Sequence, residues 1–117
     1  MPICQIKTNY ILNHDQKSKF TGEVADKISQ LLEKPIAAVM VMISEEYMQM
    51  NHTEDTIIFA EFRYVKNFEN VEEKSVFLKN FSYEMLEIFR KYTDVDPYRV
   101  YMQFTEMARG SAWKYTQ

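Results

Sequence analysis

The sequence predicts an α/β fold built from two βαβ units, with four strands in one sheet and both helices on a single face. Three observations carry this. Apolar spacing alternates between strand-like and helix-like in the order strand, helix, strand, strand, helix, strand. The pair Lys34-Pro35 stops the first helical stretch and leads straight into the apolar run Ile36–Ile43. The halves also echo each other, since Pro35 precedes Val39-Met40-Val41-Met42 and Pro97 precedes Val100-Tyr101-Met102. Two right-handed crossovers then put both helices on one side. A chain of 117 residues fits one domain, 1–117, and has no length for a second.

The elements follow in order. Met1–Thr8 is rich in β-formers and bounded by Asn9, with Pro2 where a strand accepts proline, at its first position. Asn13 with Gln16 makes a capping box, and Phe20, Val24, Ile28, Leu31 and Leu32 line one face of a helix reaching about Glu33. Gly22 weakens that helix by up to ~1 kcal/mol relative to alanine. Ile36–Ile43 is apolar without alternation, which suits a strand covered on both faces. Ser44–Met50 reads as a short helical turn and loop, and Asn51–Asp55 as polar turn material. Thr56–Val65 is a third strand. Asn70 with Glu73 caps a second helix reaching about Lys91, with Leu78, Phe81, Met85, Ile88 and Phe89 on one face. Tyr98–Glu106 is a fourth strand, and the tail is loop followed by a short edge strand.

Such a sheet has one face without a cover. The chain is too short to supply one, so that face should pack on copies of itself. Composition agrees: eight Phe and eight Tyr exceed what so small a domain hides, and the surplus belongs in an interface or pocket. A formal charge of −3 without a basic run gives no footprint for nucleic acid. No apolar run approaches the ~20 residues of a membrane span, and the N-terminus lacks a signal peptide's regions, so the cytosol is expected. Cys4 is the single cysteine, which leaves no intrachain disulfide and no C-x-x-C pair.

Chemistry concentrates at few positions. Initiator methionine is normally removed before proline, which would make Pro2 a free secondary amine on a rigid strand. An α-amino group titrates near ~7.7–8.0, and burial or a nearby cation brings it towards the range a general base needs. Lys34 sits at the junction of a helix and a buried strand, where βαβ proteins often place site residues, although a lysine at a helix end is usually a surface charge. In the last strand Tyr101, Gln103 and Thr105 point one way, and Val100, Met102 and Phe104 the other. A phenol and an amide on one face can donate hydrogen bonds to a ligand oxygen. His14 and His52 have no partner at metal spacing, so no metal is expected. Met40, Met42, Met85 and Met102 fall on core positions.

Read together, Met1-Pro2 opening a strand that ends in Thr8-Asn9, Lys34-Pro35 leading into Val39-Met40-Val41, Met48, Asp96-Pro97-Tyr98-Arg99-Val100-Tyr101 and Glu106-Met107 resemble the macrophage migration inhibitory factor branch of the tautomerase superfamily. The likeness runs from Pro2 to about Met107, with a recognisable Trp113 beyond. It implies a mixed four-stranded sheet assembled into a homotrimeric barrel. It also implies a cofactor-free keto–enol tautomerase acting on aromatic α-keto acids such as phenylpyruvate. Pro2 would be the catalytic base and Lys34 the ligand of the substrate's carboxylate or oxygen. Val65 would offer a backbone amide beside the proline, and Tyr101 would come from the neighbouring subunit. Gln103 stands where many members have asparagine, and Trp113 resembles the C-terminal aromatic wall.

The sequence departs from that pattern in places. Asn51–Asp55 lacks the family's glycines, Thr56 replaces a usual proline, and Ala38 fills an aromatic wall position. The C-x-x-C of some members is absent around Ile57–Ala60, and the tail is one residue short between Tyr101 and Trp113. These changes bear on pocket shape and substrate, not on the base. Two other readings share the fold. One is a cytokine-like interaction protein that binds a receptor, exported without a leader, with a vestigial pocket. The other is a ligand-binding trimer without turnover.

Overall fold

Both helices begin where an asparagine caps them. In the computed structural model, which describes residues 1–115, helix α1 spans His14–Leu32 and helix α2 spans Val71–Tyr92. The Asn13 side chain accepts the Gln16 N–H at 2.8 Å, and the Gln16 side chain accepts the Asn13 N–H at 2.9 Å, which closes the first capping box. Asn70 accepts the Glu73 N–H at 2.8 Å, but the Glu73 carboxylate takes the N–H of Glu69, one residue before the cap, at 3.0 Å. Helix α1 ends at Glu33 in the left-handed region (φ 55°), whereas α2 ends at an extended Thr93 whose hydroxyl donates to the Phe89 carbonyl.

Strands β1 (Ile3–Thr8), β2 (Met40–Glu45), β3 (Ile58–Tyr64) and β4 (Val100–Glu106) form one mixed sheet in the order β2-β1-β3-β4. β1 runs parallel to β2, β3 runs parallel to β4, and the two halves meet antiparallel at β1 and β3. Alternation sends Cys4, Ile6, Ala60 and Phe62 to the helix-covered face, each at most 3% exposed. Phe81 stands edge-on to both Phe62 and Phe104, at centroid separations of 5.0 and 5.6 Å. Each such buried side chain is worth roughly 1.5–3 kcal/mol. The ion pairs joining the helices, Lys91–Glu23 at 3.0 Å and Lys27–Glu84 at 3.1 Å, are partly exposed and worth about 0–1 kcal/mol each. The covered face therefore dominates stability.

Among the described residues no helix covers the opposite face. Ile3, Gln5 and Lys7 of β1 alternate onto it, beside Met40, Met42 and Ser44 of β2 and Arg63, Glu61 and Phe59 of β3. This corrects two expectations. Met40 and Met42 are not core residues: they are 56% and 40% exposed on this face, while Met85 is fully buried and Met102 packs against the core. The run Ile36–Ile43 is not a strand covered on both faces. Its first residues form a 3-10 turn, Ile36–Ala38, and the strand begins at Met40. An apolar run reports that a residue meets apolar surroundings somewhere, not on which side.

Boundaries differ elsewhere too. Ser44 and Glu45 finish β2, and no helical turn follows among Glu46–Met50. Asn51 and His52 both take positive φ, 53° and 60°, in a two-residue turn closed by reciprocal Met50–Thr53 backbone bonds at 3.1 Å. Thr56 and Ile57 precede β3, and Pro97–Arg99 is a 3-10 turn before β4. Residues 107–115 hold no strand, and Thr116 and Gln117, the end of the expected edge strand, lie outside the described residues. None of the eight phenylalanines is exposed, whereas Tyr47, Tyr83, Tyr98, Tyr101 and Tyr115 are, so the exposed aromatic surplus is made of tyrosine and Trp113. No helix among the described residues is long and apolar enough to cross a membrane.

Candidate functional site

The head of β1 lies between two chain segments. The Pro2 carbonyl accepts the Met40 N–H at 3.1 Å, and Ile3 pairs with Met40 on one side and Arg63 on the other. Carrying that register one or two residues back sets Pro2 beside Tyr64 and Met1 beside Val65. Pro2 is buried and Tyr64 is 3% exposed. Burial, and then the Glu106 carboxylate, push the Tyr64 phenol up.

Lys34 reaches this place through the end of α1. The left-handed turn at Glu33 lets both the Glu33 and Lys34 N–H groups donate to the Ser29 carbonyl, while the Ser29 hydroxyl donates to the Lys34 carbonyl. The backbone is thus tied twice before Pro35 turns it towards β2. Among the described residues Lys34 makes no ion pair, so its charge is available to an anion. With Met1 in place the Pro2 nitrogen is an amide, and the terminal amine is Met1's, one residue further out. That amine is held below its ordinary range, first by burial and then by repulsion from the Lys34 ammonium. The head of β1 therefore disfavours a protonated amine.

A different surface forms at the other end of the sheet. Tyr101 pairs with Phe59, which pairs with Lys7, five residues along β1 from Pro2. At ~3.3 Å per residue this is roughly 16 Å along the strand. Tyr101 is 66% exposed and borders a cavity of about 600 Å³ lined also by Tyr47, Met48, Met50, Ile57 and Phe59. Gln103 follows on the same face beside Glu61, which pairs with Arg63 at 2.9 Å. Pro2, Lys34 and Val65 thus belong to one end and Tyr101 to the other, with Gln103 midway along β4, level with Glu61 and Gln5. A single chain does not bring the two sets together. Trp113, 81% exposed and edge-on to Tyr115 at 6.2 Å, walls no site within one chain.

The sequence reading passed over two parts of this surface. Tyr47–Met50 read as a helical turn but forms one wall of the cavity. Arg99 stood only as a letter in a motif, yet its guanidinium donates to the carbonyls of Met50, Thr53, Asp55 and Thr56. The available signal was an arginine immediately before a strand with no acidic residue following it nearby. His14 opens α1 and His52 sits in the positive-φ turn, both exposed, and no group of three metal-ligating side chains gathers among the described residues.

Two βαβ halves on one mixed sheet, helices on one side and a bare face on the other, define the class: the tautomerase-type fold of macrophage migration inhibitory factor. Solved structures with this fold include a macrophage migration inhibitory factor-like protein from Entamoeba histolytica. It is 16% identical, with a TM-score of 0.83 over 98% of this chain and 95% of that one. The macrophage migration inhibitory factor of Giardia lamblia is 21% identical, with a TM-score of 0.74 over 90% and 98%. A homologue from Prochlorococcus marinus is 18% identical, with a TM-score of 0.81 over 96% and 95%. At these identities the likeness is one of fold. No family model and no curated protein matches the chain.

Proposed function

We propose that this protein is a cofactor-independent keto–enol tautomerase of aromatic α-keto acids, with Pro2 as general base once Met1 is removed. The observation that carries the reading is the head of β1, where the terminal amine of Met1 is held below its ordinary range by partial burial and by Lys34, a cation that makes no ion pair among the described residues. A neutral secondary amine there takes a proton from the carbon next to the ketone. The electron pair left behind becomes the carbon–carbon double bond as the carbonyl pair moves onto oxygen, and the protonated proline gives its proton to that oxygen, which completes the enol and restores the neutral amine. Reversal returns the proton to carbon. No electrons leave the substrate, so the reaction calls for no redox partner. Lys34 binds the carboxylate or the oxygen and stabilises the developing enolate, and the backbone at Val65 lies beside the proline.

The reading includes a homotrimer near three times 14.0 kDa, in which the bare sheet faces turn inwards and Tyr101 and Gln103 of one protomer approach the Pro2 of its neighbour. This supplies what one chain lacks, since its own Tyr101 stands far from its own Pro2. Trp113 would close the site as an aromatic wall. The setting we propose is the cytosol.

The test is phenylpyruvate turnover by two forms whose N-termini are checked by intact mass, one beginning at Pro2 and one extended by a residue. Loss of the general base should cost the extended form roughly 10²–10⁴-fold in kcat. Equal rates from two trimeric forms would exclude Pro2 as base.

A further inference from the structure

We propose that Arg99 is a positioning residue that sets the width of the apolar cavity beside Tyr101, and with it the preference for an aryl group on the substrate. The inference rests on the keto-acid reading for its substrate, but on a separate part of the molecule for its geometry. The segment from Glu46 to Ile57 joins β2 to β3 and contains no helix or strand of its own beyond the Met50–Thr53 bridge. Its turn is made by Asn51 and His52 in the left-handed region, which side chains other than glycine occupy at a cost. Something outside must hold such a segment. Asn9 holds its second half, donating to the Glu54 carbonyl and accepting the Ile57 N–H, each at 2.8 Å.

Arg99 holds the rest. Its Nη1 donates to the Met50 carbonyl at 3.1 Å, and Nη2 to those of Thr53 at 3.2 Å and Asp55 at 2.9 Å. Nε is shared between the carbonyls of Asp55, at 3.2 Å, and Thr56, at 3.3 Å. Every one of these partners is backbone, so the arginine reads the path of the loop and not its side chains. A planar fork with fixed donors can do this, and a flexible ammonium cannot do it as well. The same residue stands two positions before Tyr101, on the rigid turn that starts β4. One side chain therefore ties the Tyr47–Met50 wall, at its Met50 end, to the turn that carries the Tyr101 wall of the cavity. The cavity's other lining residues, Ile57, Ile58 and Phe59, belong to β3 and its approach. Of its walls the loop is the one without regular structure, and Arg99 is the restraint on it that comes from the Tyr101 side, whereas Asn9 and Thr8 tie its ends to β1.

The test is Arg99→Lys, which keeps the charge and stem but loses the fork, alongside Arg99→Ala. Amide exchange across residues 50–57 should accelerate about tenfold in Arg99→Lys and more in Arg99→Ala, with β1 and α2 unchanged. KM for phenylpyruvate should rise about fivefold with kcat held within about twofold, while KM for pyruvate, which has no aryl group, stays within about twofold. Methylguanidinium added to Arg99→Ala should restore part of the loss. An unchanged loop exchange, an equal rise in both KM values, or a fall confined to kcat overturns the inference, as does failure of Arg99→Lys to fold. A wild-type protein without turnover defeats the tautomerase reading alone. The inference is then tested by binding of 3-phenylpropanoate, which Arg99→Lys should weaken about fivefold. Equal affinity, or no binding to wild type, overturns it.

Discussion

The two βαβ halves share a plan and differ in what their junctions do. In each, a proline follows the helix, three residues beyond the end of α1 and five beyond that of α2, a 3-10 turn starts there, and the turn feeds an edge strand parallel to the half's first strand. In the first half the junction ends with a cation that makes no ion pair among the described residues. Lys34 is tied by its backbone alone, and its ammonium acts on the chain's terminal amine. In the second half the cation is spent. Arg99 gives its N–H groups to four carbonyls of the β2–β3 segment and orders the wall of an apolar cavity. One duplicated device thus serves charge in one half and shape in the other. A free cation tunes proton chemistry, whereas a saturated one positions backbone.

If this division holds, substitutions should sort by half. The largest effect belongs to Lys34→Ala, which should cut kcat/KM for phenylpyruvate by about 10²–10³-fold if the ammonium stabilises the enolate. It should also move the pH profile. Activity needs the neutral amine, so kcat/KM rises as pH climbs through the amine pKa. Removing a like charge raises that pKa, and the rising limb should shift to higher pH. A profile that stays in place would mean burial alone sets the amine. Tyr101→Phe should cost less, about three- to tenfold, because one neutral hydrogen bond is worth about 1 kcal/mol. Sedimentation should still show the same assembly, and a dissociated protein would mark Tyr101 as an interface residue.

The smallest effect concerns the helices. Gly22 is exposed in α1 and an added Cβ meets nothing within 4 Å, so Gly22→Ala should stabilise by up to ~1 kcal/mol. Helix α2 contains no glycine and offers no counterpart. A thermal melt that is unchanged or lowered would contradict this.

Much of the fold was legible because its determinants are local. The Asn13–Gln16 box and the stripes Phe20–Val24–Ile28 and Phe81–Met85–Ile88 each lie within a few turns of chain, and all are where the spacing puts them. Met40 and Met42 were misread because sidedness belongs to the sheet: β2 is an edge strand with one face bare, which no run of eight letters records. The site divides in the same way. The positions of Pro2 at a strand head and Lys34 at a helix end are local features, and both residues were legible from local sequence and the family resemblance. Arg99 was not, because the carbonyls it binds lie 43 to 49 residues away. That Tyr101 stands apart from Pro2 follows from β1 and β3 running antiparallel, a fact of topology and not of composition.

The central claim is that the head of β1 keeps a terminal amine neutral for proton transfer. It is tested most directly by titrating the Pro2 nitrogen in protein that begins at Pro2, labelled with nitrogen-15 proline and followed by NMR. The account expects a pKa clearly below the ~7.7–8.0 of an ordinary α-amino group, and an upward shift in Lys34→Ala. A Pro2 amine that titrates in or above the ordinary range, and is indifferent to Lys34, would contradict it.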